Sequence, residues 1–412
     1  MGFTPPRLPP DRRKRHGIVP VLQRSIHTGG LNCSLPLSPV PESMHVVQAL
    51  SSLGVGGSEL VVAELCEYLG KRGHPVTVLG KGGPLTPRVN ASGAAHLDWP
   101  VGRKRLRTLR YIGTFSEWLG INQPDIVHAH SRLPAWICWR AIRRLEATIR
   151  PVFITSMHGQ YSVGTYSAVM ARGDRVIAVS DHIRDFTLQH YAFVAAENIV
   201  TIHGGTSRSA FPYQYKPSAA WLANTLKEFP ELASRRILLL PGRLSRYKGH
   251  TSFLDLIASL VDEYPDIHGV ILGQGRPGSR YRAELEGLAH RGGVLDRITF
   301  TGLRSDIRDW MASSSIVFNL CSDPPEAFGR IVPEALRLGV PVLAWNHGGV
   351  KEILAEMFPP GAVKPNSRRD LWSKTRVFLN QAQAVPDSDC FLLRDSMKKT
   401  LALYHDMMGK NA

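Results

Sequence analysis

Two glutamates, Glu326 and Glu334, stand eight positions apart in segment 322–354, whose text is SDPPEAFGRIVPEALRLGVPVLAWNHGGVKEIL. A loop with two prolines leads into a Phe328-Gly329 turn, and a helix is expected from about Arg330. With Glu326 in the loop and Glu334 in the first helical turns, both carboxylates face one cleft. Pro333 is tolerated there because first-turn N–H groups have no intrahelical partner. The same helix start offers unpaired N–H groups and a positive dipole end to a diphosphate. Two carboxylates beside it suit a neutral polyol, since each can accept hydrogen bonds from adjacent hydroxyls.

A second constellation is PGRLSRYKGH at 241–250, directly after the apolar run RRILLL. Arg243 and Lys248 follow a strand end and precede a helix, so both can reach a phosphate and stabilise charge on a departing group. Arg246 is a further cation without an assigned role. In the first half, GVGGSE at 54–59 follows a strand and opens a helix, and Gly56 and Gly57 let backbone approach a ligand. It is not a Walker loop, and Glu59 takes the place of the third dinucleotide-binding glycine. The formal G-x-G-x-x-G match at 273–278 reads as a decoy for a dinucleotide site. His158, in TSMHG, ends a strand on the cleft side. His128 and His130 have a metal-like spacing, but no nearby carboxylate or cysteine completes a site. Asp181, after Val179 and Ser180, reads as a helix cap.

The elements that must position these residues follow one rhythm from Met44 onward. Short apolar runs alternate with amphipathic stretches of 10–16 residues, the pattern of βαβ units and a parallel sheet. Strands are expected at 45–50, 75–79, 125–130, 152–157, 175–179 and 198–202, with helices such as 58–72 and 133–146 between them. A polar stretch from about 205 to 234 interrupts the rhythm. It restarts with strands at 236–240, 268–272, 297–300, 316–320 and 341–345, and 389–408 reads as one more helix. Two α/β sheets give two Rossmann-like domains whose strand ends face a cleft.

On these residues the chain resembles the family 4 retaining glycosyltransferases of the GT-B fold, the group 1 enzymes of bacterial polysaccharide and lipopolysaccharide synthesis. The likeness covers roughly residues 45–405 and is tighter in the second half. It implies Glu326 for the hydroxyls of a donor sugar and Glu334 for the ribose of its nucleotide. It implies Arg243 and Lys248 for the donor diphosphate and Gly275 beside the base. It places Gly56, Gly57, Phe328, Gly329 and Arg330 around the donor, His158 near the reacting carbon, and Ser180, more weakly, near the cleft. Gly204-Gly205 departs from the Asn-Gly often found at the family's interdomain junction.

The implied domains are 44–215 on the acceptor side, 216–388 for the nucleotide sugar, and a C-terminal helix, 389–412, crossing back to the first domain. The implied activity is retaining transfer of a hexose from a nucleoside diphosphate sugar to a glycan or glycolipid acceptor, with no cofactor or metal. A non-catalytic nucleotide-sugar-binding protein and a nucleotide-sugar 2-epimerase are the rival readings; product formed from donor alone marks the epimerase.

Composition bounds these readings. The chain has 412 residues, 43% hydrophobic and 20% charged, which suits two globular domains. No apolar run reaches the ~18–20 residues that span a bilayer. The five cysteines are widely spaced with no C-x-x-C pair, which favours buried thiols in a reducing compartment, the cytoplasm. Net charge is +16, calling for an anionic partner, yet no nucleic-acid-binding signature accompanies it. Segment 103–112, RKRLRTLRYI, sets five cations among apolar residues. As one helix it would align Leu106, Leu109 and Ile112 in a stripe able to rest on the anionic inner face of the plasma membrane. A core-packed helix with a solvated basic face is the equal alternative. Residues 1–43 are rich in Pro, Arg and Gly and read as a disordered tail or an extension upstream of a start at Met44.

Overall fold

A computed structural model describes residues 43–276 and 278–409; the expectations for residues 1–42, and Pro277 within the 273–278 loop, lie outside the described residues. Seven strands build the first sheet: β1 (Val46–Ser52), β2 (Val76–Lys81), β3 (Ala95–Asp98), β4 (Ile126–Ala129), β5 (Val152–Met157), β6 (Arg175–Ala178) and β7 (Ile199–Thr201). Six build the second: β8 (Arg236–Pro241), β9 (Ile267–Leu272), β10 (Ile298–Gly302), β11 (Ile316–Asn319), β12 (Val342–Trp345) and β13 (Ala362–Val363). Every pairing is parallel, in the orders β3-β2-β1-β4-β5-β6-β7 and β10-β9-β8-β11-β12-β13. The central strands are continuous apolar runs because helices cover both faces of a parallel sheet. Two strands escaped the sequence reading. β3 is a half-exposed edge of four residues and β13 has only two, so neither carries an apolar run.

Both sheets reverse their order in the middle, between β1 and β4 and between β8 and β11. Ligands of doubly wound sheets bind outside the strand ends at this switch point. The loops after these strands hold Gly56, Arg243, Lys248 and Glu326, and Gly57 opens the helix after β1; His158 follows β5, next to the first switch point.

The expected back-crossing is present. Helix Leu393–Gly409 packs Tyr404 and Met407 into the first half's core with Met44, Val46, Cys66 and Leu69. The outgoing and returning chains are tied: Thr206 N–H donates to Phe391 O at 3.0 Å and Leu393 N–H to Thr206 O at 2.9 Å. Fully buried Arg337 clamps both, donating to Thr206 Oγ1 at 3.0 Å, Ser388 O at 2.8 Å and Cys390 O at 2.7 Å. The Gly204 departure has a steric cause here, because a Cβ at Gly204 would lie 2.5 Å from the Phe328 ring.

Segment 103–112 is not one helix. Residues 103–105 are irregular, Leu106–Arg110 form a 3₁₀ turn, and the α-helix starts at Tyr111. The change of winding breaks the predicted stripe: Ile112 turns into the core with Phe115 and Leu119, while Leu106 and Leu109 stay 88% and 51% exposed. Cys66, Cys138, Cys321 and Cys390 are free, and burial pushes the Cys66 thiol up to about 12.

Candidate functional site

The second half's switch point brings two predicted residues into contact. Lys248 ends a short 3₁₀ turn after β8, and its Nζ donates to Glu326 Oε1 in the loop after β11. Both side chains are about one-fifth exposed, at 21% and 20%. Burial opposes the Lys248 charge, but the Glu326 carboxylate beside it holds its pKa above the ordinary value. The turn ends at Gly249, whose φ of +80° and whose close approach to Leu320 O, 2.2 Å from a hypothetical Cβ, admit no side chain. Arg243 lies in the same loop, exposed, with no carboxylate partner among the described residues. Arg246 turns away and pairs with Glu284 at 2.6 Å. Gly275 sits beside them, its loop bridged to Leu244.

The helix expected near Arg330 runs Ile331–Arg337, with Arg330 at its N-cap and Glu334 in its first turn. Arg330 does not point at open solvent. It donates through both terminal nitrogens to Glu64 at 2.8 Å each, and through Nε to Glu334 Oε1 at 3.4 Å. Glu64 belongs to helix Gly57–Gly70 of the first half, so this fork joins the two switch points across the cleft. A Cβ at Gly57 would lie 3.8 Å from Arg330 Cδ, which brings the glycine loop to the same spot. Glu334 is only 6% exposed; burial, opposed by Arg330, raises its carboxyl to about 7. Phe328 is buried against Phe391, and Gly329 holds φ +85° between it and Arg330.

His158 closes the first half's side. Burial and the nearby Arg330 guanidinium lower its pKa to about 4, so it is neutral at physiological pH. Its Nε2 lies 2.8 Å from His130 Nδ1. His130 and His128 are buried and hydrogen-bonded to protein groups, Gln48, Tyr404 and Ser156 among them.

Two expectations change. Asp181 is not the cap of helix Asp181–His190. That duty falls to Ser180, whose Oγ accepts from Ile183 N–H at 3.2 Å, leaving Ser180 fully buried and committed to the helix. Glu352 of the second half adds a second cap, accepting from the backbone N–H groups of Asp181 and His182 at 3.0 and 2.9 Å. With His203 and Asp181 it forms the cluster of metal-ligand spacing among the described residues, the ligand atoms lying within 4.8 Å. The Glu352 carboxylate is already occupied by those two N–H groups and by His203 Nε2 at 2.6 Å, so the cluster acts as a tie between the halves. Glu64, Glu352 and Arg337 escaped the sequence reading because each matters through a partner more than 100 positions away.

Known proteins complete this picture. The model "Glycosyltransferase Family 4" matches residues 55–209, and "Glycosyl transferases group 1" matches residues 224–384. Spore coat protein SA of Bacillus subtilis is 25% identical over 316 residues, 73% of this chain and 79% of that protein. The lipopolysaccharide core biosynthesis mannosyltransferase LpsB of Rhizobium meliloti is 26% identical over 245 residues, 56% of this chain and 65% of that protein. The crystal structure of a glycosyltransferase from Rickettsia africae superposes with a TM-score of 0.76 at 22% identity, covering 90% of this chain and 100% of that one. Paired parallel sheets with facing switch points define the GT-B fold. The chain belongs to the family 4, group 1 glycosyltransferases.

Proposed function

We propose that this protein transfers a hexose from a nucleoside diphosphate sugar, with retention of anomeric configuration, to a glycan or glycolipid acceptor in cell-surface polysaccharide or lipopolysaccharide synthesis. The observation that carries this reading is the contact of Lys248 with Glu326 at the switch point, beside the helix that Arg330 caps. In the reaction the sugar C1–O bond to the diphosphate breaks, and a C1–O bond to the acceptor hydroxyl forms on the same face. The hydroxyl proton passes to the departing phosphate oxygen. Arg243 and Lys248 stabilise the charge that grows on that diphosphate. Glu326 accepts hydrogen bonds from sugar hydroxyls and holds C1 in line. Glu334 takes the ribose, and Gly56, Gly57, Gly275, Phe328, Gly329 and Arg330 complete the donor's surroundings. With two cations for the leaving group, this chemistry calls for no bound metal.

The acceptor is met on the first half. Leu106 and Leu109 are exposed among Arg103, Lys104, Arg105, Arg107 and Arg110, all exposed and none in an ion pair of the described residues. This supports a cytoplasmic enzyme resting on an anionic leaflet. No described helix is long and apolar enough to cross a membrane. A panel of nucleoside diphosphate sugars scored by thermal shift tests the donor, because ligand at 100 times its Kd contributes about 2.7 kcal/mol. NMR of the product anomer with the stabilising donor tests retention. Isomerised sugar formed from donor alone, or no stabilisation by any donor, overturns the proposal.

A further inference from the structure

A buried polar chain runs from His158 to the C-terminal helix. His158 Nε2 lies 2.8 Å from His130 Nδ1, and His130 Nε2 lies 2.6 Å from Gln48 Oε1. Gln48 Nε2 lies 3.2 Å from Tyr404 Oη, which lies 2.6 Å from His128 Nδ1; His128 Nε2 ends the chain 2.7 Å from Ser156 Oγ. Gln48, His128, His130 and Tyr404 are each at most 1% exposed. The topology explains the meeting. Gln48 of β1 pairs in register with His128 of β4, His130 continues the same face two residues on, and Tyr404 descends onto that face from helix Leu393–Gly409.

The amide of Gln48 gives the chain one direction. Its oxygen only accepts, so His130 Nε2 must carry the proton. A neutral imidazole has one N–H, which leaves His130 Nδ1 a bare acceptor, and His158 must then donate through Nε2–H. At the other end the Gln48 NH₂ can only donate, so Tyr404 Oη accepts from it and gives its own proton to His128 Nδ1. His128 in turn donates through Nε2–H to Ser156 Oγ. The 2.6 Å contact of Tyr404 Oη with His128 Nδ1 suits a phenol O–H donor. Burial keeps all three rings uncharged, lowering His128 to about 3 and His130 well below its usual value, with the other histidines adding to the effect.

We infer that Tyr404, Gln48 and His130 are positioning residues that hold His158 in the Nε2–H tautomer and leave its Nδ1 lone pair to accept a hydrogen bond from a hydroxyl of the bound sugar. His158 is partly exposed, and its Nδ1 has no partner among the described residues and is not sealed in the core. The choice of ligand rests on the proposed sugar transfer; the tautomer does not. A hydroxyl donor is accepted at Nδ1, whereas a carbonyl or phosphate oxygen, lacking a proton, is turned away. Tyr404 thus acts on the site from the far end of the chain without touching a substrate.

The test is ¹H–¹⁵N long-range correlation NMR of the full chain labelled at histidine, with the His158 signals assigned by their loss in His158→Gln. The wild type is expected to show a protonated Nε2 and an unprotonated Nδ1 at neutral pH. Tyr404→Phe frees the Gln48 amide to flip, and Gln48→Leu removes its acceptor. Each is expected to mix the His158 tautomers and lower kcat about 10- to 100-fold, by analogy with the range for outer-shell partners that orient metal-bound histidines. His130→Leu should do the same, whereas His130→Asn, whose Oδ1 still accepts from Nε2–H, should restore the tautomer and most of the rate. An Nδ1–H or doubly protonated His158 in the wild type, or a tautomer unchanged by both Tyr404→Phe and Gln48→Leu, overturns the inference. A wild-type protein with the expected tautomer but no transfer from any donor would count against the proposed activity alone.

Discussion

Arg330 and Glu64 form a two-pronged ion pair at 2.8 Å across the cleft, joining the N-cap of a helix in one half to a buried helix face in the other. Their side chains are 14% and 5% exposed, so solvent screens the pair little. The same guanidinium reaches Glu334, which links closure of the two halves to the carboxylate assigned to the nucleotide.

Glu64→Gln removes one partner and leaves a buried cation with only Glu334 to answer it. Breaking such a pair costs about 3–5 kcal/mol, whereas replacing both partners by apolar groups often costs far less. Glu64→Gln is therefore expected to lower the unfolding midpoint more than the double substitution Glu64→Leu with Arg330→Met. Solution scattering should also show a larger radius of gyration for the single variant. A double variant as unstable as the sum of the singles would mean the two residues do not interact.

Glu334 has its carboxyl raised to about 7, chiefly by burial. A raised acid binds its proton more tightly in the folded chain than in the unfolded one. Its contribution to stability is thus full below the ordinary carboxyl range and is lost as pH climbs through about 7. Glu334→Gln is expected to flatten this fall between pH 5 and 8, read by urea unfolding at stepped pH. The same substitution, or Glu334→Ala, should weaken nucleoside diphosphate binding in calorimetry.

Lys248→Ala and Glu326→Ala separate chemistry from folding. A contact with the leaving group contributes about 2.7–4 kcal/mol in the transition state, so Lys248→Ala should cut turnover by about 10²–10³-fold. Glu326→Ala should abolish transfer while leaving nucleoside diphosphate affinity nearly intact. A loss of activity under threefold in Lys248→Ala would remove this residue from the diphosphate. Nucleotide binding lost with Glu326 and kept without Glu334 would swap their roles.

Vesicle co-sedimentation reads the basic segment. With Leu106 and Leu109 exposed beside five cations, each cation near an anionic surface contributes about 1 kcal/mol at modest salt. Binding is expected to vesicles with anionic lipid and not to zwitterionic ones. It should weaken with salt and with Arg105→Glu plus Arg107→Glu. Failure to bind anionic vesicles at low salt would leave the net charge to the substrates.

Local pattern was enough for the strands of both sheets except β3 and β13, because buried parallel strands write themselves as apolar runs between amphipathic helices. It was enough as well for the Ile331–Arg337 helix, with Glu334 in its first turn and Pro333 tolerated there. Strand ends and helix starts are local events, and Lys248 and Glu326 could be read from them. Local pattern misjudged segment 103–112, where Leu106 and Ile112 look alike in the text. Only packing against Phe115 and Leu119 decides that one is buried and the other bare. The partners were out of reach for the same reason. Nothing near Arg330 points to Glu64, 266 positions away, and nothing near His128 points to Tyr404, 276 positions away. Residue types and spacing determined what chemistry each loop could do. Which charges meet, which histidines share a hydrogen-bonded chain, and which carboxyl has its pKa raised to about 7 were decided by the tertiary structure, because hydrogen-bond partners and desolvation depend on neighbours brought together only by folding.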